Sequence, residues 1–313
     1  MVWISPAKVE SLRHYVWPPN KKNPRMRLLV PVALAIATSG SAQYGSFSTA
    51  ALKTASANTT LVVLDGSNTG YNAAMTNAIK ADWKFTSSVD FINTNDLATQ
   101  PLDPTKNYLM KITRVDKEKH AATFIALVAG WKQKKGEELV VENNAVSNIP
   151  AAQEIASIMV EPKVINETGT AMIGIYVKHV QDYLNHVLKG DITDKSTADR
   201  SYQGRTHLIK DMDLLITQEQ LDKTVPDAAK AAETYRHSLR ILPQDELMQY
   251  VEAGKTVAVA DVVTTGSEKT KWCFKRIFNA NTGELMYLRD DAALFGKKEG
   301  FITEDFRMLE QSR

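Results

Sequence analysis

The feature that most constrains the fold of this chain is a pattern of apolar segments that occurs twice, at an offset of about 150 residues. A repeated pattern requires each copy to build a similar core. The sequence therefore predicts two tandem, duplicated α/β units. The matched segments are 60–65 with 212–217, 89–92 with 239–242, 95–97 with 245–247, 108–112 with 258–262, and 123–125 with 273–275.

Each predicted unit begins as strand–helix–strand and ends as an antiparallel meander. Residues 61–64 form a continuous apolar run, as expected for a strand that is buried on both faces. Apolar residues at helical spacing then lead to a second strand at 89–92, and such a crossover is parallel and right-handed. Short polar turns separate the later strands, which indicates antiparallel pairing. We predict an α/β or α+β fold class, with the first unit over 60–143 and the second unit and C-terminal tail over 211–313.

The segment between the two units, residues 144–210, is predicted to be a helical connector. Residues 151–160 are interpreted as a helix ended by Pro162. Apolar residues recur at i, i+3 and i+4 spacing over 172–187, before a glycine, and this pattern predicts the clearest helix of the chain. Residues 43–59 are rich in Ser, Thr, Ala and Gly and are predicted to be a flexible tether.

The first 42 residues have the pattern of a leader. Met26-Arg27 is a short basic region, the apolar run at 28–37 follows, and small residues fill 39–42. An apolar run of about ten residues fits a signal peptide and is too short to span a bilayer. We predict a signal peptide over 26–42, cleavage near Ala42, and a periplasmic or secreted protein with no membrane span. Residues 1–25 are either an extended basic region or the result of a start assigned too early, and we favour the second interpretation.

Charge and cysteine content exclude several partners and modifications. The chain has 38 Lys and Arg against 36 Asp and Glu, but residues 1–42 hold six of the basic and one of the acidic residues. The remainder is slightly acidic, whereas nucleic-acid binding requires a basic patch, so we predict no nucleic-acid partner. The single cysteine, Cys273, permits no internal disulfide and is interpreted as a small apolar strand residue. No cysteine stands at the cleavage point, so we predict no lipid anchor.

The best candidate site is the loop Asp65-Gly66-Ser67-Asn68-Thr69-Gly70. It lies between a predicted strand and a predicted helix, where backbone N–H groups at a helix N-terminus can bind an anion. We take Asp65, Ser67, Asn68 and Thr69 as candidate ligand-binding residues. The alternative is that Asn68 or Thr69 only caps the helix.

The spacing of Asp65 and Thr69 also resembles the motif of phosphotransfer enzymes of the haloacid dehalogenase type. That motif has a second Asp two residues after the first, and Ser67 stands there in this chain. No Gly-Lys-Ser/Thr follows the loop, and the chain has no Gly-x-Ser-x-Gly, no Cys-x-x-Cys and no recognised metal-binding set of His and Cys. We therefore predict no catalytic residue, no metal and no cofactor.

The second half of the chain resembles a group of uncharacterised exported, periplasmic proteins that are common in Bacteroidota-type bacteria. The resemblance implies an exported location and no mechanism. It is carried by residues 214–216, 235–247, 273–274, 283–287 and 300–306, and Ala42-Gln43 at the cleavage point is similar to leaders from those organisms.

Three functions are compatible with these features. The first is an exported, non-catalytic α/β protein that binds an envelope protein or a small ligand. The second is a phosphoryl-directed hydrolase that uses residues 65–70, which requires Asp65 to be exposed in a pocket with a second carboxylate and a basic residue or cation nearby. The third is a structural or stress component of the cell envelope, in which the helix at 172–189 and the groove between the units contact another envelope protein. An exposed apolar patch along that helix would favour this function.

Overall fold

Two β-sheets organise the part of the chain that the computed structural model describes, residues 44–115, 120–267, 270–294 and 297–313. Helices lie before, between and after their strands, so the predicted mixed α/β class is confirmed. The predicted signal peptide and its cleavage point at Ala42 lie outside the described residues.

The first sheet has the strand order β2-β1-β3-β4-β7, with the short pair β5 and β6 beside β3. Its strands are β1 Thr59–Leu64, β2 Val89–Asn93, β3 Lys106–Val115, β4 Ala121–Ala129, β5 Val141–Glu142, β6 Ala145–Val146 and β7 Glu154–Val160. β1 is parallel to both β2 and β3, whereas β3 with β4 and β4 with β7 are antiparallel. The apolar run of β1 is buried at its centre, which fits its position between two parallel neighbours.

The second sheet has the strand order β9-β8-β10-β11-β12. Its strands are β8 Leu214–Ile216, β9 Leu239–Ile241, β10 Ala258–Thr265, β11 Trp272–Asn279 and β12 Leu285–Ala292. β8 is parallel to β9 and β10, and the following pairs are antiparallel. In both sheets, the first strand therefore lies between the second and third, and antiparallel strands continue from the third.

Eight α-helices are described: α1 Thr49–Ala57, α2 Thr69–Asp82, α3 Thr94–Leu97, α4 Met172–Lys189, α5 Lys195–Arg205, α6 Ala228–Ala232, α7 Gln244–Glu252 and α8 Thr303–Gln311. α4 confirms the helix predicted from apolar spacing, and it ends at Gly190 in the left-handed conformation. It packs against α2 and β7, and its Tyr176 and His179 rings contact Phe278 of β11. One hydrophobic core therefore contains α4 together with residues of both sheets. Within the described ranges, no helix combines the length and apolar character needed to cross a membrane.

The prediction of a flexible tether over 43–59 is wrong for the part that forms α1. Ser48 caps this helix, since its hydroxyl accepts a hydrogen bond from the backbone N–H of Ala51 at 3.2 Å. Leu52 and Ala55 are buried, and the Asn107 side chain donates to the Ala55 carbonyl at 2.7 Å. The alanines that suggested a loose linker are good helix formers, and two buried contacts on one face are enough to dock the helix.

The prediction of a helix over 151–160 is also wrong. After a single 3-10 turn at Ala151–Gln153, the chain forms β7, which pairs with β4 and is buried from Ile155 to its end. A short apolar run fits a buried strand as well as a helix, and pairing with β4 decides between them. The connector at 144–210 therefore contains β6 and β7 of the first sheet in addition to its helices.

Candidate functional site

The predicted ligand loop, residues 65–70, lies at the carboxyl end of β1. From β1 the chain crosses to β2 on one side, and β3 then returns to the other side. In open α/β sheets, such a switch point forms a crevice beyond the strand ends where ligands bind. The loop therefore has the location of a ligand site.

The Asp65 carboxylate is held inside this loop, and only 4% of its surface is exposed. Its Oδ1 accepts hydrogen bonds from the Ser67 N–H at 2.8 Å, the Ser67 hydroxyl at 3.0 Å and the Asn68 N–H at 2.9 Å. Its Oδ2 forms a salt bridge with the Lys111 ammonium of β3. The N–H groups that could bind an external anion are thus occupied by the carboxylate of the protein itself.

Electrostatics keep this carboxylate ionised. Burial alone would raise the pKa of Asp65, but the Lys111 ammonium and the N–H groups of Ser67 and Asn68 outweigh burial and lower that pKa. Every hydrogen bond described at the Asp65 carboxylate stabilises its charged form, and both of its oxygens accept from protein donors. The hydrolase hypothesis required an exposed Asp65, and that condition is not met, although Lys111 does supply a basic neighbour.

Asn68 and Thr69 have different positions. The Asn68 Oδ1 accepts from the Tyr71 N–H at 2.9 Å, so Asn68 caps α2, and its Nδ2 donates to the Asn166 carbonyl at 2.8 Å. Thr69 begins α2 and is exposed. The structure therefore brings Asp65, Ser67 and Asn68 together and leaves Thr69 facing solvent.

Asn144, which was not among the candidates predicted from the sequence, approaches the loop from the β5–β6 turn. Asn143 and Asn144 have φ angles of 51° and 58°, as required at the centre of a type I′ hairpin turn. Asn144 accepts from the Gly66 N–H at 3.1 Å and donates to the Ser67 hydroxyl at 3.2 Å. The Asn-Asn pair could have predicted the turn, but nothing in the sequence links it to residues 65–70.

Lys111 and Asn166 were missed as well. The Lys111 Nζ lies 3.4 Å from the Asn166 Oδ1 and 4.4 Å from the centre of the Tyr71 ring. Asn166 lies in a π-helical turn, Val164–Thr168, and such turns are rare and frequently occur at functional sites. Within the described ranges the buried Tyr71 hydroxyl has no hydrogen-bond partner.

The surface around the loop is a band of uncharged polar side chains, which we call the amide rim. Amide side chains both donate and accept hydrogen bonds, so the rim can bind a polar ligand without a net charge. A Cβ at Gly66 would lie 3.1 Å from side-chain atoms of both Asn95 and Asn144, which shows how closely the amides approach the loop. The rim consists of Ser67, Asn68, Asn93, Asn95, Asn144 and Asn166, all exposed or partly exposed.

The corresponding end of β8 in the second sheet carries no such cluster. Thr217 begins a 3-10 turn at Gln218–Gln220, and the Gln220 side chain donates to the Ala260 carbonyl at 3.0 Å. Elsewhere in the described residues, no group of three or more His, Cys, Asp or Glu is placed to hold a metal ion. Burial lowers the pKa of His179 to about 4 and raises that of Cys273 to about 11, so both are neutral core residues at pH 7.

No protein-family model, no curated protein and no solved structure matches this chain. The resemblance of the second half to exported proteins of Bacteroidota-type bacteria therefore stays a prediction.

Proposed function

We propose that this is an exported, non-catalytic protein that binds a small polar ligand or an envelope protein through the amide rim. The observation that carries the proposal is the contrast between the Asp65 carboxylate and its surroundings. The carboxylate is buried and fully hydrogen-bonded, whereas the amides of Asn95 and Asn144 around it reach the surface. A site with its charge neutralised inside and neutral amides outside suits binding better than nucleophilic chemistry.

Export and duplication belong to the same proposal. The basic and apolar pattern of residues 26–42 supports a cleaved signal peptide and a periplasmic or secreted location. The equal strand order and strand directions of the two sheets support two tandem units with a common plan. Because the amide rim lies beside the carboxyl end of β1, we assign ligand binding to the first unit, with Asn144 and Asn166 contributed by the connector.

The third hypothesis, a structural component that docks through α4, has less support. Its apolar stripe includes Ile175, Tyr176, Val180 and Leu184, and each of these side chains is almost completely buried. A helix whose apolar face already lies in the core offers no apolar patch to a partner.

Native mass spectrometry of residues 43–313, purified from the envelope fraction of the source organism or a near relative, tests the proposal. We expect an added mass that survives gentle desolvation. Asn95→Ala should lose most of it, because this exposed amide contributes to the rim and its side chain supports no secondary structure. Asn77→Ala is the matched control, since Asn77 is an exposed asparagine of α2 away from the rim. Bare protein, or equal retention of the added mass by both variants, would contradict binding at the rim.

A further inference from the structure

An amine, a carboxyl group and a carboxamide meet beneath the amide rim. The side chains of Lys111 and Asp65 are each only 4% exposed and are bonded to each other. The Lys111 Nζ also lies 3.4 Å from the Asn166 Oδ1, and the Tyr71 ring covers the amine at 4.4 Å. Ligand binding at the rim makes no use of this buried nucleophile.

We propose that Lys111 and Asn166 form an intramolecular isopeptide bond spontaneously, with Asp65 as the proton carrier. Lys111 Nζ transfers a proton to Asp65 Oδ2, and its lone pair then attacks the Asn166 Cγ. The Asn166 Cγ–Nδ2 bond breaks, the Nδ2 takes up the proton held by Asp65 and one of the two remaining amine protons, and it leaves as ammonium. The product is one new Nζ–Cγ amide, Asp65 is regenerated, and no oxidant or other reactant is consumed.

The surroundings of the three groups favour this reaction in two ways. Rigid placement of two reacting groups in contact replaces a bimolecular encounter and can supply a large part of the rate. Here the Lys111 Nζ lies 3.4 Å from the oxygen that is bonded to the Asn166 Cγ. Lys111 is fixed within β3, and Asn166 is fixed by its π-helical turn and by the bond from Asn68 to its carbonyl. Asn166 is also partly exposed, so ammonia has a route to solvent.

Two features set the rate and the effect of the bond. The donors that surround Asp65 favour its ionised form, so Asp65 takes up a proton only rarely and the bond forms slowly after folding. Once formed, the bond ties β3 to the segment between β7 and α4. Such a covalent closure restricts the unfolded chain in the way a disulfide does.

Peptide mapping of the recombinant full chain tests the inference. In the unlinked chain, trypsin cleaves after Lys111 and releases residues 107–111, 112–114 and 164–178 as separate peptides. The cross-link blocks cleavage after Lys111, so residues 107–114 stay intact and are joined to residues 164–178 in one branched peptide. We expect that branched peptide, with the summed mass less one ammonia, at a fraction that rises when the folded protein is held at growth temperature for days. Where the leader is removed after Ala42, the new N-terminal Gln43 also loses ammonia on cyclisation, so the branched peptide, not the intact mass, is decisive.

Two variants complete the experiment. Lys111→Arg keeps the positive charge beside Asp65 but has no nucleophilic amine, so it should give only unlinked peptides. Lys106→Arg, on the same strand and partly exposed, should give the same linked fraction as the unsubstituted chain. The inference is overturned if the unsubstituted chain yields only the separate, unlinked peptides after prolonged incubation, or if Lys111→Arg gives the same branched product.

Discussion

Lys275 of β11 offers the sharpest test of how the second sheet is stabilised. Its ammonium is fully buried between two carboxylates, 2.6 Å from Asp291 Oδ2 and 2.7 Å from Asp305 Oδ2. Asp305 belongs to α8, so this contact attaches the C-terminal helix to the sheet. Replacing Lys275 by Met keeps a similar side-chain length and leaves the two buried carboxylates without their shared cation.

The expected loss of unfolding free energy depends on the partners that the two carboxylates keep in the variant. Breaking a buried ion pair by removing one side costs about 3–5 kcal/mol. Asp305 keeps its hydrogen bonds with the Tyr287 hydroxyl at 2.7 Å and with Arg289 at 3.2 Å. We therefore expect the free-energy cost of Lys275→Met to lie near the lower end of this range, at about 3 kcal/mol. If the free energy of unfolding falls by about 3 kcal/mol for each molar of urea, the urea midpoint of unfolding should fall by about 1 M.

A surface lysine provides the control. Lys271 pairs with Glu299 at 2.8 Å, and both side chains are partly exposed. Lys271→Met should therefore cost less than about 1 kcal/mol. Urea unfolding followed by circular dichroism measures both variants. Equal midpoints for Lys275→Met and Lys271→Met would refute the argument that the buried network anchors α8.

Three further outcomes can be checked by the same unfolding assay. Burial opposes ionisation of Asp291, but the basic side chains around this carboxylate outweigh burial and lower the pKa of Asp291. The contribution of Asp291 to stability is therefore present above about pH 4 and is lost as pH falls below that value. Burial lowers the pKa of His179 to about 4, so as pH falls the unfolded chain protonates this histidine before the folded protein does. The free energy of unfolding should therefore fall by about 3 kcal/mol between pH 6.5 and 4. His179→Gln should remove this pH dependence, and an unchanged pH dependence in the variant would contradict the assignment. Gly283→Ala should cost at least about 1 kcal/mol more than Gly254→Ala, because both have positive φ but only the first would place a Cβ 2.3 Å from the Lys178 Cβ.

The sequence predicted those elements whose signal is local. The apolar run of β1 and the apolar spacing of α4 identify a buried strand and an amphipathic helix without knowledge of their neighbours. β7 was mistaken for a helix because its identity depends on pairing with β4. α1 was missed because its stability depends on a cap and two buried contacts.

The same distinction applies to the candidate site. Residues 65–70 were found because a polar loop between a strand and a helix is a local pattern. Lys111 and Asn166 were not found, since they are 46 and 101 positions from Asp65 along the chain and only the arrangement of β1, β3 and the π-helical turn brings them together. The tertiary structure therefore decides whether the Asp65 carboxylate is bonded inside the protein or exposed as a nucleophile.

A phosphatase assay tests the central claim most directly, namely that Asp65 is an internal structural anion and not a nucleophile. Residues 43–313 and the Asp65→Asn variant are incubated with p-nitrophenyl phosphate, with and without Mg²⁺, and the released p-nitrophenolate is measured. We expect no hydrolysis above the buffer rate for either protein. Mg²⁺-dependent hydrolysis by the unsubstituted chain that disappears in a folded Asp65→Asn variant would contradict the account and restore the hydrolase hypothesis.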